Sequence, residues 1–177
     1  MKFSVSDSEI VFQGPAFQIR RDTVDYPDGR QAKFDLLVHP GAVTIVPVDG
    51  EGNVFFVNQY RHSAGRMILE LPAGTLGKDE APVDCAYREV REEIGYSAAK
   101  IEQLGAFYTS PGYSTEYMYV FLATGLAHDP LPQDADEYIE VVKFPVEQVY
   151  AMLATGEIYD GKTIAALALA RTLVLDD

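Results

Sequence analysis

Residues 74–96 read GTLGKDEAPVDCAYREVREEIGY, and this stretch decides how the rest of the chain is interpreted. Its apolar residues recur at the spacing of one helical face: Val83, Ala86, Val90 and Ile94. That periodicity predicts a helix over residues 82–94. Pro82 suits the first turn of such a helix, and Gly95 suits the position that follows its last turn.

The predicted helix carries Arg88, Glu89, Glu92 and Glu93 near its end. The glutamates stand at positions i, i+3 and i+4, so their side chains share one face and repel one another unless something offsets them. Grouped carboxylate oxygens are ligands that Mg²⁺ and Mn²⁺ prefer. Arg88 lies one turn from Glu92 and can orient its carboxylate. Taken alone, the run is also typical of a solvated charged face.

The spacing of residues 74–96 resembles the Nudix box: a glycine, five residues, a glutamate, seven residues and then REUxEExGU, where U is a bulky apolar residue. Every glycine and charged position of that pattern is filled, and the one departure is Tyr96 in place of an aliphatic residue. The chain is therefore identified as a member of the Nudix hydrolase family. The resemblance implies an α/β/α sandwich, in which helices flank a mixed sheet.

The resemblance also implies a metal site. The expected ligands of Mg²⁺, for which Mn²⁺ could substitute, are the carboxylates of Glu89, Glu92 and Glu93 and the backbone carbonyl of Ala73. Glu92 is expected to take part in catalysis as well. Glu80 would pair with Arg88 and so fix the preceding loop to the helix, while Gly74 would let the backbone approach closely.

Strand-like segments lie on both sides of this helix, which indicates a mixed α/β or α+β domain. Residues 10–38 contain two strand-like runs around the turn Pro27-Asp28-Gly29 and are predicted to form a β-hairpin. Further strands are predicted at residues 42–48, 54–59, 107–108, 117–123 and 139–144, and helices at residues 146–154 and 163–174. The resemblance assigns residues 1–40 to a strand-rich dimerisation segment and residues 41–177 to the Nudix hydrolase domain.

Composition restricts the class of protein. The 177 residues are 47% hydrophobic and carry a net charge of −13, which argues against a nucleic-acid partner because phosphate backbones attract basic residues. No apolar run approaches the roughly 20 residues of a membrane span, and the N-terminal MKFSVSDSEI lacks the apolar core of a signal peptide. The single Cys85 cannot form an intramolecular disulfide. The chain is therefore predicted to be cytoplasmic, without a membrane partner.

Segments that flank the box indicate the substrate class. Those that resemble the ADP-ribose pyrophosphatase branch are residues 59–61, 70–74, 110–116, 136–141 and 156–164. The resemblance implies hydrolysis of ADP-ribose to AMP and ribose 5-phosphate. Another nucleoside diphosphate sugar, a dinucleoside polyphosphate or a flavin dinucleotide is an alternative substrate. A sensor that binds ADP-ribose without cutting it is an alternative of another class, although loss of box glutamates would be expected of a sensor.

The same resemblance nominates residues for the substrate and for the attacking water. The expected substrate contacts are Arg61, Glu70, Pro111, Phe17 and Phe34, and the expected catalytic carboxylates besides Glu92 are Glu137 and Glu116. Arg61 would grip a phosphate through its planar fork, or it would form a surface salt bridge. Phe17 and Phe34 would stack on the base, one from each subunit of a homodimer, or they would be core residues. Glu137 and Glu116 are alternatively exposed carboxylates without a role.

Overall fold

The structure, a computed structural model, describes residues 2–15, 17–132 and 138–175. Its strands are β1 (Ser4–Gln13), β2 (Gln18–Asp25), β3 (Gln31–Val38), β4 (Ala42–Pro47), β5 (Asn53–Arg61), β6 (Arg66–Glu70), β7 (Ala73–Thr75), β8 (Tyr96–Tyr108), β9 (Tyr117–His128) and β10 (Ile139–Pro145). Its helices are α1 (Pro82–Glu93), α2 (Val146–Thr155) and α3 (Gly161–Leu175). Among the described residues, no helix is long and apolar enough to cross a membrane.

The chain divides into two compact units. The first comprises Met1–Gly41 and Tyr108–Tyr117, and the second comprises Ala42–Phe107 and Met118–Asp177. In the first unit, β1, β2 and β3 form an antiparallel sheet with β2 in the centre.

The N-terminal sheet differs in one respect from the two-stranded hairpin predicted over residues 10–38. Strands β2 and β3 do pair across the predicted turn, but β1 pairs with the other edge of β2. The run predicted as a single strand is broken at Gly14, whose amide donates to the Phe17 carbonyl at 2.9 Å. Pro15 follows this glycine and has no N–H to donate to a strand ladder, so the chain turns there.

The strands of the second unit form two sheets. Strand β5 lies between β10 and β6 in an antiparallel sheet, and the other sheet has the order β7-β4-β9-β8. Strand β4 runs antiparallel to β7 and parallel to β9, so this second sheet is mixed. The predicted mixed sheet is confirmed.

The apolar core of the second unit lies on both faces of its strands, because successive side chains of a strand point to opposite sides. On β5, Val54 and Phe56 join a buried cluster that contains residues of α2 and α3. Phe55 and Val57 instead join a cluster that contains residues of α1. Helices therefore flank the strands on both faces, which confirms the predicted architecture.

Element boundaries agree for the helices but not for several of the strands. Strands β6 and β7 are absent from the prediction, and β8 covers 13 residues where only residues 107–108 were expected. Strand β7 has 3 residues, too few for an alternating pattern to show. Strand β8 contains Gly105 and several polar residues, which are poor strand formers. Helix α1 ends as predicted, with Gly95 at φ +79°, the left-handed region that favours glycine.

Candidate active site

Helix α1 buries two of its glutamates together with its apolar face. Glu89 is 8% exposed and Glu93 is 4% exposed. The interpretation of this run as a solvated charged face is therefore wrong for these two residues. Burial of a carboxylate is unfavourable unless polar partners compensate it, so the partners of the two side chains define the site.

The first partner is the backbone of β7. The Ala73 N–H donates to the Glu93 Oε2 atom at 2.9 Å. A Cβ atom at Gly74 would overlap the Glu89 carboxylate, so only glycine lets this side chain lie against the backbone in its present position. Two carboxylates from one helix are thus held against two consecutive residues of β7. This is the close approach that the sequence led us to expect at Gly74.

The second partner is Arg88, which is shared by three carboxylates. Its guanidinium lies 2.9 Å from Glu80 Oε1, 2.5 Å from Glu89 Oε1 and 2.6 Å from Glu92 Oε2. The predicted pair between Glu80 and Arg88 is present. Glu80 also accepts the Gly77 N–H at 2.7 Å, which fixes the loop to the helix. The hydrogen bond to Glu80, with further contributions from Glu92 and Glu89, holds the pKa of Arg88 well above its usual range.

The Glu80–Arg88 pair is expected to make the stability of the protein sensitive to acid. The hydrogen bond that Arg88 donates to Glu80 lowers the pKa of Glu80 from 4.5 to about 2. A depressed pKa means that the stabilisation is fully present above pH 4.5 and is lost as the pH falls toward 2. We expect the melting temperature of Glu80→Gln to depend less steeply on pH in this window than that of the wild type. Glu102→Gln, at an exposed ion pair with Lys100, is the control; equal acid slopes for Glu80→Gln and the wild type would contradict the prediction.

The carboxylate oxygens of the α1 glutamates are suitable ligands for a hard divalent cation, but they do not converge on one point in this structure. Across residues 2–15, 17–132 and 138–175, no three histidine, cysteine or acidic side chains converge closely enough to hold a metal ion. Glu89 and Glu92 each place an oxygen on the guanidinium of Arg88. One guanidinium shared by three carboxylates leaves this network net negative, and carboxylate oxygens are the ligands that Mg²⁺ prefers. The predicted ligation by these glutamates and by the Ala73 carbonyl stays a prediction.

A second charged network begins at Arg61. Its Nε and Nη2 atoms donate to the two oxygens of Glu70, each at 2.7 Å, and Lys162 forms an ion pair with the same carboxylate. Glu70 is 2% exposed. Burial opposes its ionisation, but Arg61 and Lys162 outweigh that effect and lower the pKa of Glu70. Arg61 therefore does form a salt bridge, as one interpretation predicted, but with a buried partner rather than a surface one.

The guanidinium of Arg61 is fixed by Glu70 and is also accessible to solvent. Its side chain remains 41% exposed although Glu70 fixes two of its donors. The hydrogen bonds to Glu70 raise the pKa of Arg61, and the charges of Glu70, Glu93 and Asp160 add to this effect. Glu93 of α1 is therefore among the carboxylates whose charge acts on Arg61. Direct contact of Arg61 or Glu70 with substrate stays a prediction.

Sequence reasoning missed the residues that precede and begin α3. Asp160, Lys162 and Thr163 were matched only as part of a segment that resembles the family, with no role assigned. Lys162 pairs with Glu70 and with Asp160, and the Thr163 hydroxyl accepts the Leu71 N–H at 2.8 Å. An available signal was the position of an aspartate just before a predicted helix, which is typical of a capping residue.

The remaining predicted residues belong to the first unit or lie outside the described part. Phe17 and Phe34 are 44% and 39% exposed, so their interpretation as core residues is wrong. Pro111 is exposed in a turn that the Ser114 N–H closes by donating to the Ser110 carbonyl at 2.9 Å. Glu116 is half-buried and accepts the Thr109 hydroxyl at 2.6 Å. Glu137 lies outside the described residues.

Comparison with known proteins identifies the family. The NUDIX domain model matches residues 38–167, which include both charged networks. The chain belongs to the Nudix family. Across 161 residues, covering 90% of this chain and 87% of the relative, it is 38% identical to the ADP-ribose pyrophosphatase of Bacillus subtilis (strain 168). The predicted family and its ADP-ribose pyrophosphatase branch are confirmed.

Other proteins are similar to this chain over most of its length. A methanol dehydrogenase activator of Bacillus methanolicus is 33% identical over 162 residues, covering 90% of this Nudix protein and 88% of the relative. A solved structure described as an ADP compounds hydrolase has a TM-score of 0.87 at 21% identity, covering 98% of this chain and 95% of that one. The fold is thus shared over nearly the full length of both chains. The protein is a Nudix pyrophosphohydrolase, as the sequence predicted.

Proposed function

We propose that this Nudix hydrolase uses Mg²⁺ to cleave the pyrophosphate bond of ADP-ribose, giving AMP and ribose 5-phosphate. The observation that carries the proposal is the pair of buried carboxylates, Glu89 and Glu93, held against the backbone at Ala73 and Gly74. The Arg88 network beside them holds three carboxylates and one guanidinium, so it carries a net negative charge. Such a group of carboxylates suits a hydrolase that binds a divalent cation. Similarity to the Bacillus subtilis enzyme supports ADP-ribose as the substrate.

The chain's own residues have separate tasks in this reaction. Glu89, Glu92, Glu93 and the Ala73 carbonyl would hold Mg²⁺, which when bound neutralises phosphate oxygens and makes water more acidic. Arg61 donates hydrogen bonds to a phosphate oxygen of the substrate while Glu70 keeps its fork in place. A carboxylate accepts a proton from the water that attacks phosphorus. The bond from that phosphorus to the bridging oxygen breaks, and the bridging oxygen leaves with the other phosphate.

The proposal is tested with a panel of substrates and purified protein. ADP-ribose, GDP-mannose, a diadenosine polyphosphate and FAD are incubated with Mg²⁺ or with EDTA, and products are separated by chromatography. We expect the highest kcat/KM for ADP-ribose, with AMP and ribose 5-phosphate formed only when Mg²⁺ is present. A higher kcat/KM for another member of the panel would overturn the choice of ADP-ribose. Tight binding of ADP-ribose without turnover would favour the sensor.

Glu137 is proposed as the carboxylate that accepts the proton from water, with Glu116 as the competing candidate. Glu137→Gln should lower kcat by roughly 10²-fold with a smaller change in KM, since proton transfer rather than binding is affected. Steady-state kinetics measure this, and Glu140→Gln, at an exposed position of β10, is the control. The assignment fails if Glu116→Gln shows the loss and Glu137→Gln does not.

Phe17 and Phe34 are proposed to stack on the adenine base in a homodimer. Stacking of a base on an aromatic ring contributes roughly 1–3 kcal/mol, so Phe34→Ala should raise KM about tenfold. Its melting temperature should change little, because the ring is 39% exposed. Phe3→Ala, at another exposed ring of the first unit, should leave KM unchanged. An unchanged KM for Phe34→Ala, or sedimentation as a monomer only, would contradict stacking from two subunits.

A further inference from the structure

The first turn of α3 is organised by one carboxylate. Asp160 directly precedes the helix, and its Oδ2 atom accepts the Thr163 N–H at 3.0 Å and the Thr163 hydroxyl at 2.6 Å. The same oxygen lies 3.0 Å from the Lys162 ammonium. An aspartate that accepts an N–H of the first turn caps a helix. Here the same carboxylate also orients the side chains of Lys162 and Thr163.

The Thr163 hydroxyl connects this turn to the segment that holds the α1 glutamates. Because its proton is donated to Asp160, its oxygen is left to accept, and it accepts the Leu71 N–H at 2.8 Å. Thr163 and Leu71 are both fully buried, so solvent cannot replace this bond. Leu71 lies in the 70–74 segment, two residues before Ala73.

Consecutive groups of the 70–74 segment are fixed by three different elements. The Leu71 N–H is held from α3. The Pro72 carbonyl accepts the Ile45 N–H from β4 at 2.9 Å, and the Ala73 N–H donates to Glu93 of α1 at 2.9 Å. A short backbone segment fixed at adjacent peptides cannot absorb a displacement at one of them without moving the next. The position of Leu71 therefore bears on the position of Glu93.

Lys162 connects the same turn to Arg61. Its ammonium pairs with Glu70 at the start of the 70–74 segment, and Glu70 holds both donors of the Arg61 fork. The side chain of Lys162 is 13% exposed and that of Glu70 is 3% exposed, so solvent screens this pair weakly. One helical turn thus contacts two consecutive residues, Glu70 and Leu71, at the start of the segment that joins the two charged networks.

We infer that Asp160, Lys162 and Thr163 are positioning residues for the active site, which they set through the 70–74 segment without contacting substrate. This inference deepens the proposed function, and its kinetic consequence rests on that function. Thr163 fixes the backbone against which the α1 carboxylates lie. Lys162 fixes the carboxylate that aims Arg61. Asp160 holds both of these side chains in place.

The structural part of the inference is tested by amide hydrogen exchange of the metal-free protein, read by NMR. Thr163→Val keeps the shape of the side chain but removes the hydroxyl, so exchange at Leu71 and Ala73 should accelerate about tenfold or more. Thr163→Ser retains the hydroxyl and should behave as the wild type. Thr172→Val, at an exposed position near the other end of α3, is the matched control. If the Ala73 amide of Thr163→Val exchanges at the native rate, the inference is overturned.

Kinetics then separate a positioning role from a purely structural one. Misplacement of the carboxylates should lower the kcat of Thr163→Val by roughly 10- to 100-fold with a smaller effect on KM. A purely structural role would lower the melting temperature of Thr163→Val but leave its kcat per folded molecule unchanged, and that result overturns the inference. If kcat does fall, Thr163→Ser should restore it, and failure to restore it overturns the inference as well. If Thr163→Val does not fold, Asp160→Asn takes its place. Asparagine can still cap the helix, but the negative charge that Asp160 presents to the Thr163 hydroxyl and the Lys162 ammonium is removed.

The two hypotheses fail in distinguishable ways. Hydrogen exchange requires neither Mg²⁺ nor ADP-ribose. If the wild type leaves ADP-ribose intact, the proposed function fails, and exchange at Leu71 and Ala73 still decides whether α3 positions the 70–74 segment. If the wild type is active and Thr163→Val is native in exchange and in kcat, the positioning role fails and the proposed function stands.

Discussion

Glu93→Gln is expected to lower kcat by roughly 10³-fold or more at saturating Mg²⁺ while the fold is retained. A solvated charged face would leave this carboxylate exposed, but it is 4% exposed and accepts the Ala73 N–H. A glutamine can accept that N–H through its carbonyl oxygen, so the contact with the backbone survives. The neutral amide removes the anionic oxygen that a divalent cation requires. Steady-state kinetics and thermal melting measure the two effects.

The control for Glu93→Gln is Glu147→Gln, which changes the same chemical group at an exposed position of α2. It should retain native kcat and native Mg²⁺ dependence. A second comparison is the Mg²⁺ titration of activity, in which Glu93→Gln should require more metal than the wild type. Near-native turnover of Glu93→Gln at saturating Mg²⁺ would remove Glu93 from the metal site.

Arg88→Met is expected to have the largest effect on stability. It leaves Glu80, Glu89 and Glu92 without the guanidinium they share. Removal of one partner of a buried ion pair costs several kcal/mol, and because the Arg88 side chain is 34% exposed the discounted estimate is about 2–3 kcal/mol of unfolding free energy. Urea denaturation measures this loss. Added Mg²⁺ should restore more stability to the variant than it adds to the wild type, because the cation offsets the same carboxylates.

Arg91→Met is the matched control for Arg88→Met. Arg91 lies on the same helix with its side chain 33% exposed, and within the described part of the chain its ion pair is with Asp129, at 3.2 Å. Its replacement should cost less than about 1 kcal/mol, as is usual for an exposed ion pair. If both variants lose the same stability, the shared guanidinium does not compensate the three carboxylates, and the charge argument for the site is wrong.

In the N-terminal sheet, the local sequence pattern did not predict the correct number of strands. The turn at Pro27-Asp28-Gly29 is correctly predicted, because turn residues act through their own backbone preferences. The third strand was missed because the run over residues 10–25 is strand-like on both sides of Gly14. Similarly, the exposure of Phe17 and Phe34 follows from which side of the sheet is covered, and alternation of residue types does not report that.

The charged networks show the same division within the active site. The pair between Glu80 and Arg88 was predictable, since both residues belong to a spaced motif eight positions apart. Lys162 lies 92 positions from Glu70, and no local periodicity relates the two. Thr163 is also 92 positions from Leu71. Such contacts are produced by the packing of α3 against the strands, which brings distant segments together.

The sequence by itself determined the family, the bounds of α1 and which acidic residues this helix carries, because these depend on spacing within residues 74–96. Helical geometry fixes which of those side chains share a face. Only the tertiary structure decided that Glu89 and Glu93 are buried, that Arg61 is aimed by Glu70, and that α3 contacts the 70–74 segment. Burial and long-range hydrogen bonds depend on which surfaces meet in the folded chain, and spacing along the sequence carries no information about that.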